Sequence, residues 1–261
     1  MSTKFSIIIP IRYASSRLPG KALLDVAGKT LVERVFDKAM LCGAEQVIIA
    51  TDDNKIAAVA KTFGASVCMT RIDHATGTDR LSEVVQQYNF ADDTIVVNLQ
   101  GDEPLIAIDS VHTVVANLQQ HKDASIATLA TRIMIPSEVF DPNVVKVLFD
   151  NYGYALYFSR APIPWDRDNF KFNDHNLDFN FSINSAKYYR HLGLYAYRSG
   201  TLQSFSALPE SDLEQAEFLE QLRMLANGSK IHIGVVTDLL PKGVDTVADL
   251  ERVRAVYAKD V

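Results

Sequence analysis

Three cations follow a short apolar run near the start of the sequence, and no acidic residue stands among them. The run Ile7–Ile11 leads directly to Arg12, and Arg17 and Lys21 follow in a loop bent by proline and glycine. The chain as a whole carries a formal net charge of −6, so this local positive charge opposes the overall balance. A strand that delivers cations and backbone N–H groups to a sheet edge is typical of a phosphate-binding loop. The alternative is a solvated basic turn.

Two aspartates stand beside glycines at other bends of the chain. Asp102 lies in Gln100-Gly-Asp-Glu-Pro104, and Asp245 lies in Gly243-Val-Asp-Thr246. A carboxylate in such a place can hold Mg²⁺ against nucleotide phosphates, and Mg²⁺ typically takes only one or two protein carboxylates. The alternative for Asp102 is a structural turn, and Asp245 taken alone is more typical of the residue before a helix cap.

The first half of the chain alternates strand-like and helix-like segments, which predicts a parallel sheet. The predicted strands are 5–11, 46–51, 66–70 and 94–99, and the predicted helices are 30–42, 54–63 and 78–88. In such sheets ligands collect at the carboxyl ends of the strands. The basic loop and the segments 51–53, 69–71 and 100–102 all fall there, so we expect them to line one crevice.

The pattern changes after about residue 125, where mixed alternation predicts partly antiparallel strands. The predicted elements are strands at 125–133, 144–149, 154–159, 191–197 and 230–237, and helices at 213–226 and 247–257. Residues 166–187 are polar and aperiodic, which predicts a long mobile loop. The predicted fold is α/β: a mostly parallel nucleotide-binding sheet flanked by helices over 1–132 and 205–261, with an inserted β-rich subdomain over 133–204.

Composition argues against several other classes of protein. The acidic balance does not fit a duplex nucleic-acid binder, and the apolar stretches are shorter than the roughly 20 residues that cross a bilayer. Gly28-Lys-Thr30 lacks the earlier glycine of a P-loop, and clustered Cys/His ligands are absent. Cys42 and Cys68 have no C-x-x-C partner, which suits a reducing compartment. We expect a soluble cytoplasmic protein without a signal peptide, nucleic-acid partner or membrane insertion.

Aromatic and apolar residues concentrate in the predicted inserted subdomain. They are Tyr152, Tyr154, Tyr157, Phe158, Trp165, Leu194 and Tyr197. The set exceeds what a small flap needs for its own core, so we expect a two-fold homodimer at this subdomain.

Seven motifs, taken in order, carry a resemblance to one family. They are Arg12-Tyr-Ala-Ser-Ser-Arg-Leu-Pro-Gly-Lys21, Thr70-Arg-Ile-Asp-His-Ala-Thr-Gly-Thr-Asp-Arg80, Asn98-Leu-Gln-Gly-Asp-Glu-Pro104, Tyr154-Ala-Leu-Tyr-Phe-Ser-Arg-Ala-Pro-Ile-Pro-Trp-Asp-Arg167, His191-Leu-Gly-Leu-Tyr195, Leu219-Glu-Gln-Leu-Arg223 and Gly243-Val-Asp-Thr246. Over nearly its whole length the chain resembles the 3-deoxy-D-manno-octulosonate (Kdo) cytidylyltransferases, the CMP-Kdo synthetases of lipopolysaccharide biosynthesis. The first motif is shared with other transferases that form nucleotide sugars, and the stretch 166–187 is longer than the family's.

The resemblance implies a GT-A-like nucleotidyltransferase that transfers CMP from CTP to Kdo with Mg²⁺ and releases pyrophosphate. Catalysis of this kind rests on positioning and on neutralising charge at the phosphoryl oxygens. The implied catalytic residues are Arg12, Lys21, Asp102 and Asp245, the last two as metal ligands. The implied CTP contacts are Arg12, Arg17, Lys21, Thr70, Thr78, Arg80 and Gln100. The implied Kdo contacts are Gln100, Arg160, His191, Tyr195, Glu220 and Gln221.

Several alternatives stay open at this point. The acid sugar could instead be a sialic acid or an amino variant of Kdo such as 8-amino-Kdo, or the chain could be a non-catalytic nucleotide-sugar sensor. A glycosyltransferase would normally show Asp-x-Asp at its metal site, and Gln100-Gly-Asp102 lacks the first acid. His191 taken singly could be a core histidine, and Glu220 a solvated helical glutamate.

Overall fold

The computed structural model describes residues 4–13, 17–74, 76–168, 170–173, 176–178 and 188–259, with the backbone alone for 171–173 and 176–178. The chain divides into two compact units. The first unit consists of Met1–Gln120, Leu194–Ala207 and Leu240–Val261, and the second of His121–Gly193 and Leu208–Leu239.

The described residues form strands and helices in alternation. The strands are β1 (Phe5–Ile11), β2 (Asp25–Val26), β3 (Lys29–Thr30), β4 (Gln46–Thr51), β5 (Ser66–Met69), β6 (Ile95–Asn98), β7 (Ile126–Arg132), β8 (Lys146–Phe149), β9 (Ala155–Ser159), β10 (Lys171–Asn173), β11 (Asn176–Asp178), β12 (Tyr189–Arg198) and β13 (Ile231–Val236). The helices are α1 (Leu31–Leu41), α2 (Asn54–Thr62), α3 (Gly77–Gln87), α4 (Ile108–Gln120), α5 (Pro136–Phe140), α6 (Ser199–Phe205), α7 (Asp212–Glu217), α8 (Gln221–Ala226) and α9 (Val247–Tyr257), and Lys21–Leu23 form a 3₁₀ turn. No helix in this part of the chain is long and apolar enough to span a membrane.

The first unit is built on a mostly parallel sheet. Strands β6, β1, β4 and β5 lie side by side in that order and all run parallel, while the second half of β12 pairs antiparallel with β6. Every residue of β1 is buried, as expected for a central parallel strand covered on both faces. The carboxyl ends of the four parallel strands therefore lie at one edge, which confirms the predicted α/β class.

Side-chain caps set the starts of the helices in this unit. The Asp53 carboxylate accepts the backbone N–H groups of Lys55 and Ile56, at 2.7 and 3.0 Å, and so begins α2. Thr246 forms a capping box at the start of α9. Both helix starts were predicted and are confirmed. Thr76 caps α3, so this helix begins at Gly77, one residue before the predicted Thr78.

The second unit has the mixed strand directions that the sequence predicts. Strand β13 runs parallel to β7, β8 pairs antiparallel with β9, and the first half of β12 pairs antiparallel with β8. The predicted insertion shares 133–193 with this unit, which also includes 121–132 and 208–239. As domain boundaries, 133 and 204 stay a prediction.

Two predictions in this unit are wrong in part. The single helix over 213–226 is two helices, because Phe218 adopts φ 51° and ψ 50° and ends α7 with its N–H bonded to the Glu214 carbonyl. The predicted mobile loop over 166–187 contains the antiparallel pair β10 and β11. The remainder of that prediction falls largely on 169, 174–175 and 179–187, which lie outside the described residues.

Candidate active site

A cavity of about 820 Å³ opens at the carboxyl edge of the parallel sheet in the first unit. Its lining residues are Pro10, Ile11, Arg12, Tyr13, Arg17, Pro19, Lys21, Ala22, Gln100, Gly101 and Asp102. The basic loop and the segment after β6 thus share one cavity, as predicted. The segments 51–53 and 69–71 do not line it.

Lys21 joins three distant parts of the chain beside this cavity. Its Nζ donates to Asp102 Oδ2 at 2.6 Å, to Asp245 Oδ1 at 3.0 Å and to the Val244 carbonyl at 2.9 Å. The side chain is only 17 % exposed, so water screens these contacts weakly. Gly20, at φ 67°, gives the loop the left-handed bend that precedes Lys21. The ammonium group therefore brings the two aspartates predicted as metal ligands to a single point.

Asp102 reaches this point because Gly101 lets two strands approach closely. A Cβ at Gly101 would lie 2.4 Å from Ile11 Cγ1 and 3.1 Å from the Pro10 carbonyl oxygen. Only glycine fits between the end of β1 and the end of β6 at that distance. The Asp102 carbonyl also accepts the Val244 N–H at 2.8 Å, which ties the segment after β6 to the segment before α9.

Asp245 is fixed by the start of α9. The Asp249 carboxylate accepts the N–H groups of Asp245 and Thr246, at 3.3 and 3.1 Å. The Thr246 hydroxyl above all, and then Lys242, lower the pKa of Asp249 to about 2. Arg17 adds an ion pair to Asp245 Oδ2 at 2.8 Å. The capping box therefore holds the Asp245 carboxylate beside Lys21.

The Asp102 and Asp245 carboxylates fit a magnesium ion by their chemistry and convergence. Both lie within 3.0 Å of the same nitrogen, and both supply the hard oxygen ligands that Mg²⁺ prefers. Among the described residues no group of three or more His, Cys, Asp or Glu side chains could hold a metal. A cation at this point would therefore draw its other ligands from water and substrate oxygens, as Mg²⁺ usually does.

Glu103, which follows Asp102, has an unusual environment. Burial, and secondarily the neighbouring Asp102 charge, raises the pKa of Glu103 to about 8. Its Oε2 has no hydrogen-bond partner among the residues that the structure describes. The carboxyl group is therefore mostly protonated at neutral pH.

Two further predicted contacts line the same cavity. Arg12 is exposed and forms no hydrogen bond or ion pair with any described residue, so its charge is available to a ligand. Gln100 donates from Nε2 to Asn98 Oδ1 at 3.2 Å, which orients its amide at the end of β6.

Three of the predicted CTP contacts, Thr70, Thr78 and Arg80, lie near one another but away from the cavity lining. Arg80 is 1 % exposed, donates from Nη1 to the Thr70 hydroxyl, and pairs through Nη2 with Asp52 at 2.9 Å. Thr78 is buried in the first turn of α3. In this structure Arg80 therefore holds Thr70 and Asp52 in place.

The predicted sugar contacts divide between the two units. Arg160, His191, Glu220 and Gln221 belong to the second unit, and Tyr195 belongs to the first with Gln100. His191 Nε2 lies 3.1 Å from Thr128 Oγ1, and burial lowers the pKa of His191 to about 3, so the ring is neutral at physiological pH.

The remaining sugar candidates differ in their surroundings. Gln221 is 9 % exposed, and its Nε2 has no partner among the described residues. Glu220 is partly exposed at the cap position of α8. The Tyr195 ring stacks on Tyr197 with centroids 5.7 Å apart. The role of each as a sugar contact stays a prediction.

Sequence reasoning missed three charged residues that support these candidates. Asp52 pairs with Arg80, Glu217 binds the backbone of Arg160, and buried Lys146 donates to the Arg160 carbonyl. Asp52 lies in the segment 51–53, which was predicted to line the crevice, but no partner was predicted for it. No sequence signal marks the other two, because their partners are distant in the chain.

The chain is similar to known cytidylyltransferases along almost its whole length. A family model described as Cytidylyltransferase matches residues 6–231. A 3-deoxy-manno-octulosonate cytidylyltransferase from Nitrosococcus oceani is 51 % identical, over 96 % of this chain and 95 % of that protein. Its counterpart from Pasteurella multocida is 50 % identical, over 98 % of this chain and 100 % of that protein.

Solved structures agree with this similarity. The structure of CMP:2-keto-3-deoxy-manno-octonic acid synthetase complexed with CTP has a TM-score of 0.86 and 43 % identity, covering 99 % of this chain and 100 % of that chain. A 4-diphosphocytidyl-2C-methyl-D-erythritol synthase from Anaerococcus prevotii, with a TM-score of 0.59 and 12 % identity, shares the fold alone. The chain therefore belongs to the cytidylyltransferase family, among its 3-deoxy-manno-octulosonate cytidylyltransferases.

Proposed function

We propose that this nucleotidyltransferase transfers CMP from CTP to the anomeric hydroxyl of Kdo, which activates the sugar for lipopolysaccharide biosynthesis. The products are CMP-Kdo and pyrophosphate. The observation that carries the proposal is the convergence of Asp102 and Asp245 on Lys21, beside a cavity lined by Arg12. Relatives about half identical over nearly the full chain bear the name of this activity.

The transfer forms a bond between the anomeric oxygen and the α-phosphorus and breaks the bond from that phosphorus to pyrophosphate. Arg12, which has no partner among the described residues, would bind the triphosphate, and Arg17 and Lys21 would neutralise its oxygens. Asp102 and Asp245 would hold Mg²⁺, which when bound neutralises phosphate charge and lowers the pKa of a bound hydroxyl. The loop holds the cations at the cavity, so little reorganisation is needed at the moment of reaction.

The Gln221 side chain supports the proposed binding of Kdo. A buried amide donor without a partner costs free energy, so such a group is normally satisfied by a ligand or water. Gln221 Nε2 is such a donor among the described residues, and Kdo offers several hydroxyl acceptors. The carboxylate of Kdo requires a cationic side chain in its binding site, and Arg160 is the cation among the predicted Kdo contacts.

Pyrophosphate release from CTP and an acid sugar tests the proposed function. We expect turnover with Kdo and at least about 100-fold less with a sialic acid, because a site that pairs polar groups with one substrate leaves them unpaired with another. EDTA should abolish the turnover and excess Mg²⁺ should restore it. No turnover with Kdo would refute the proposed function. Full activity in EDTA would refute the proposed requirement for Mg²⁺.

We also propose that the protein is a homodimer. Several apolar side chains of the second unit are exposed, and an exposed apolar patch commonly marks an interaction surface. They include Tyr152, Leu156, Trp165 and Phe218. Phe158, Leu194 and Tyr197, which were predicted to contribute to the dimer contact, are instead buried in the core. Sedimentation at micromolar concentration should give twice the chain mass, and a monomer would contradict the proposal.

We further propose a cytoplasmic location. Cys42 and Cys68 are both free thiols, and burial raises the pKa of each to about 11. Such thiols are unreactive and suit a reducing compartment.

A further inference from the structure

We propose that Glu217 positions Arg160 to receive the carboxylate of the sugar, an inference that rests on the proposed function. Glu217 is the last residue of α7, and Arg160 directly follows β9. The proposal makes Glu217 a positioning residue, because it acts through Arg160 and not on the substrate.

The Glu217 side chain holds the backbone around Arg160. One carboxylate oxygen accepts the Ser159 hydroxyl at 2.5 Å, and the other accepts the Arg160 backbone N–H at 2.8 Å. Both oxygens of the carboxylate are thus used by neighbouring groups of one short segment. The main chain of Arg160 therefore has one position relative to the end of α7.

The guanidinium group of Arg160 is held by neutral acceptors. Its Nε donates to the Glu217 carbonyl at 2.7 Å, and its Nη1 donates to the Pro142 carbonyl at 2.9 Å. Arg160 forms no ion pair with a carboxylate among the described residues, and its Nη2 has no partner there. The side chain is thus oriented on two sides while its charge and one donor nitrogen stay available to an anion.

The break between α7 and α8 makes one of these bonds possible. In a continuous helix the Glu217 carbonyl would accept the N–H of Gln221, four residues later. The left-handed conformation of Phe218 ends the helix and leaves that carbonyl for Arg160 Nε. The Phe218 side chain is exposed, so its burial does not offset the free-energy cost of the left-handed backbone conformation. Such backbone strain is typical of residues under a functional constraint.

Lys146 fixes the same segment from the other side. It is fully buried and donates from Nζ to the carbonyls of Arg160 and Asp141, at 2.6 and 2.9 Å. Burial lowers the pKa of Lys146 to about 8. The charges of Lys146 and Arg160 are balanced by Asp141 and Glu217, and nearby Arg190 is paired with Glu138 at 3.2 Å. The attraction for an anionic ligand therefore rests on the Arg160 guanidinium group, which no described carboxylate contacts, and not on a net charge of the segment.

A comparison of Kdo with its neutral methyl ester tests the role of Glu217. The wild-type enzyme should prefer Kdo in kcat/KM by about 100-fold, as expected for a charge-assisted contact. Glu217→Ala should lower kcat/KM for Kdo by about 10- to 100-fold, mainly through KM, and should reduce the preference by at least about 10-fold. Glu217→Asp keeps the charge but is too short to reach both donors, so we expect an intermediate loss of preference.

Matched measurements separate this role from a general structural one. Glu210→Gln removes an exposed negative charge in the chain just before α7. This variant should leave kcat/KM unchanged for both Kdo and its methyl ester. The CTP affinity and the circular dichroism spectrum of each variant should match those of the wild type. If Glu217→Ala does not fold, the same comparison is made with Glu217→Asp. Equal losses for Kdo and its ester would overturn the positioning role. A wild-type enzyme inactive with Kdo would instead overturn the proposed function.

Discussion

Asp102→Asn should lower kcat by about 10³-fold or more and leave the fold intact. Asparagine keeps the size of the side chain and one oxygen acceptor for Lys21, but it removes the negative charge that would hold Mg²⁺. The local structure should persist because Lys21 also donates to Asp245 and to the Val244 carbonyl, at 3.0 and 2.9 Å. Steady-state pyrophosphate release measures the loss, and thermal unfolding checks the fold.

Asp109→Asn provides the control for this variant. Asp109 is an exposed acid in the first turn of α4 in the same unit, so its neutralisation changes the net charge equally. Its activity should equal that of the wild type. Retention of more than a tenth of wild-type kcat by Asp102→Asn would mean that this carboxylate does not hold the metal.

Arg80→Met should destabilise the protein by about 3–5 kcal/mol, because it leaves a buried charge without its partner. The side chains of Arg80 and Asp52 are 1 % and 9 % exposed, and their nitrogen and oxygen lie 2.9 Å apart. Methionine fills similar volume but offers no donor to the Asp52 carboxylate. The free energy of unfolding in urea measures the effect.

The double variant Asp52→Asn/Arg80→Met isolates the electrostatic part of this loss. With the carboxylate neutralised, we expect about 1–3 kcal/mol of the stability to return. A single variant within about 1 kcal/mol of the wild type would show that water or another group replaces the guanidinium.

Much of the first unit could be predicted because local signals and the final packing agree. The isoleucine-rich apolar run of β1 is that of a buried parallel strand, and its bounds are as predicted. Asp53 and Thr246 mark helix starts by their own hydrogen bonds, which depend only on nearby residues. Helix α4 was missed although Val111, Val115 and Leu118 give its apolar face a helical period.

Other predictions failed because they concern features that depend on contacts between residues distant in sequence. Nothing about Phe218 signals a left-handed residue, and the bond from Arg160 to the Glu217 carbonyl is visible only in the folded chain. The site residues likewise fall into those that could be predicted from the sequence and those that could not. Lys21 and Asp102 could be proposed from residue type and neighbouring glycines, whereas the pairing of Arg80 with Asp52 required the tertiary structure.

The most direct test is a crystal structure of the protein with CTP and Mg²⁺. We expect a magnesium ion bonded at about 2.1 Å to oxygens of both Asp102 and Asp245, with the triphosphate in the cavity against Arg12 and Lys21. A triphosphate bound elsewhere, or a metal that touches neither carboxylate, would contradict it.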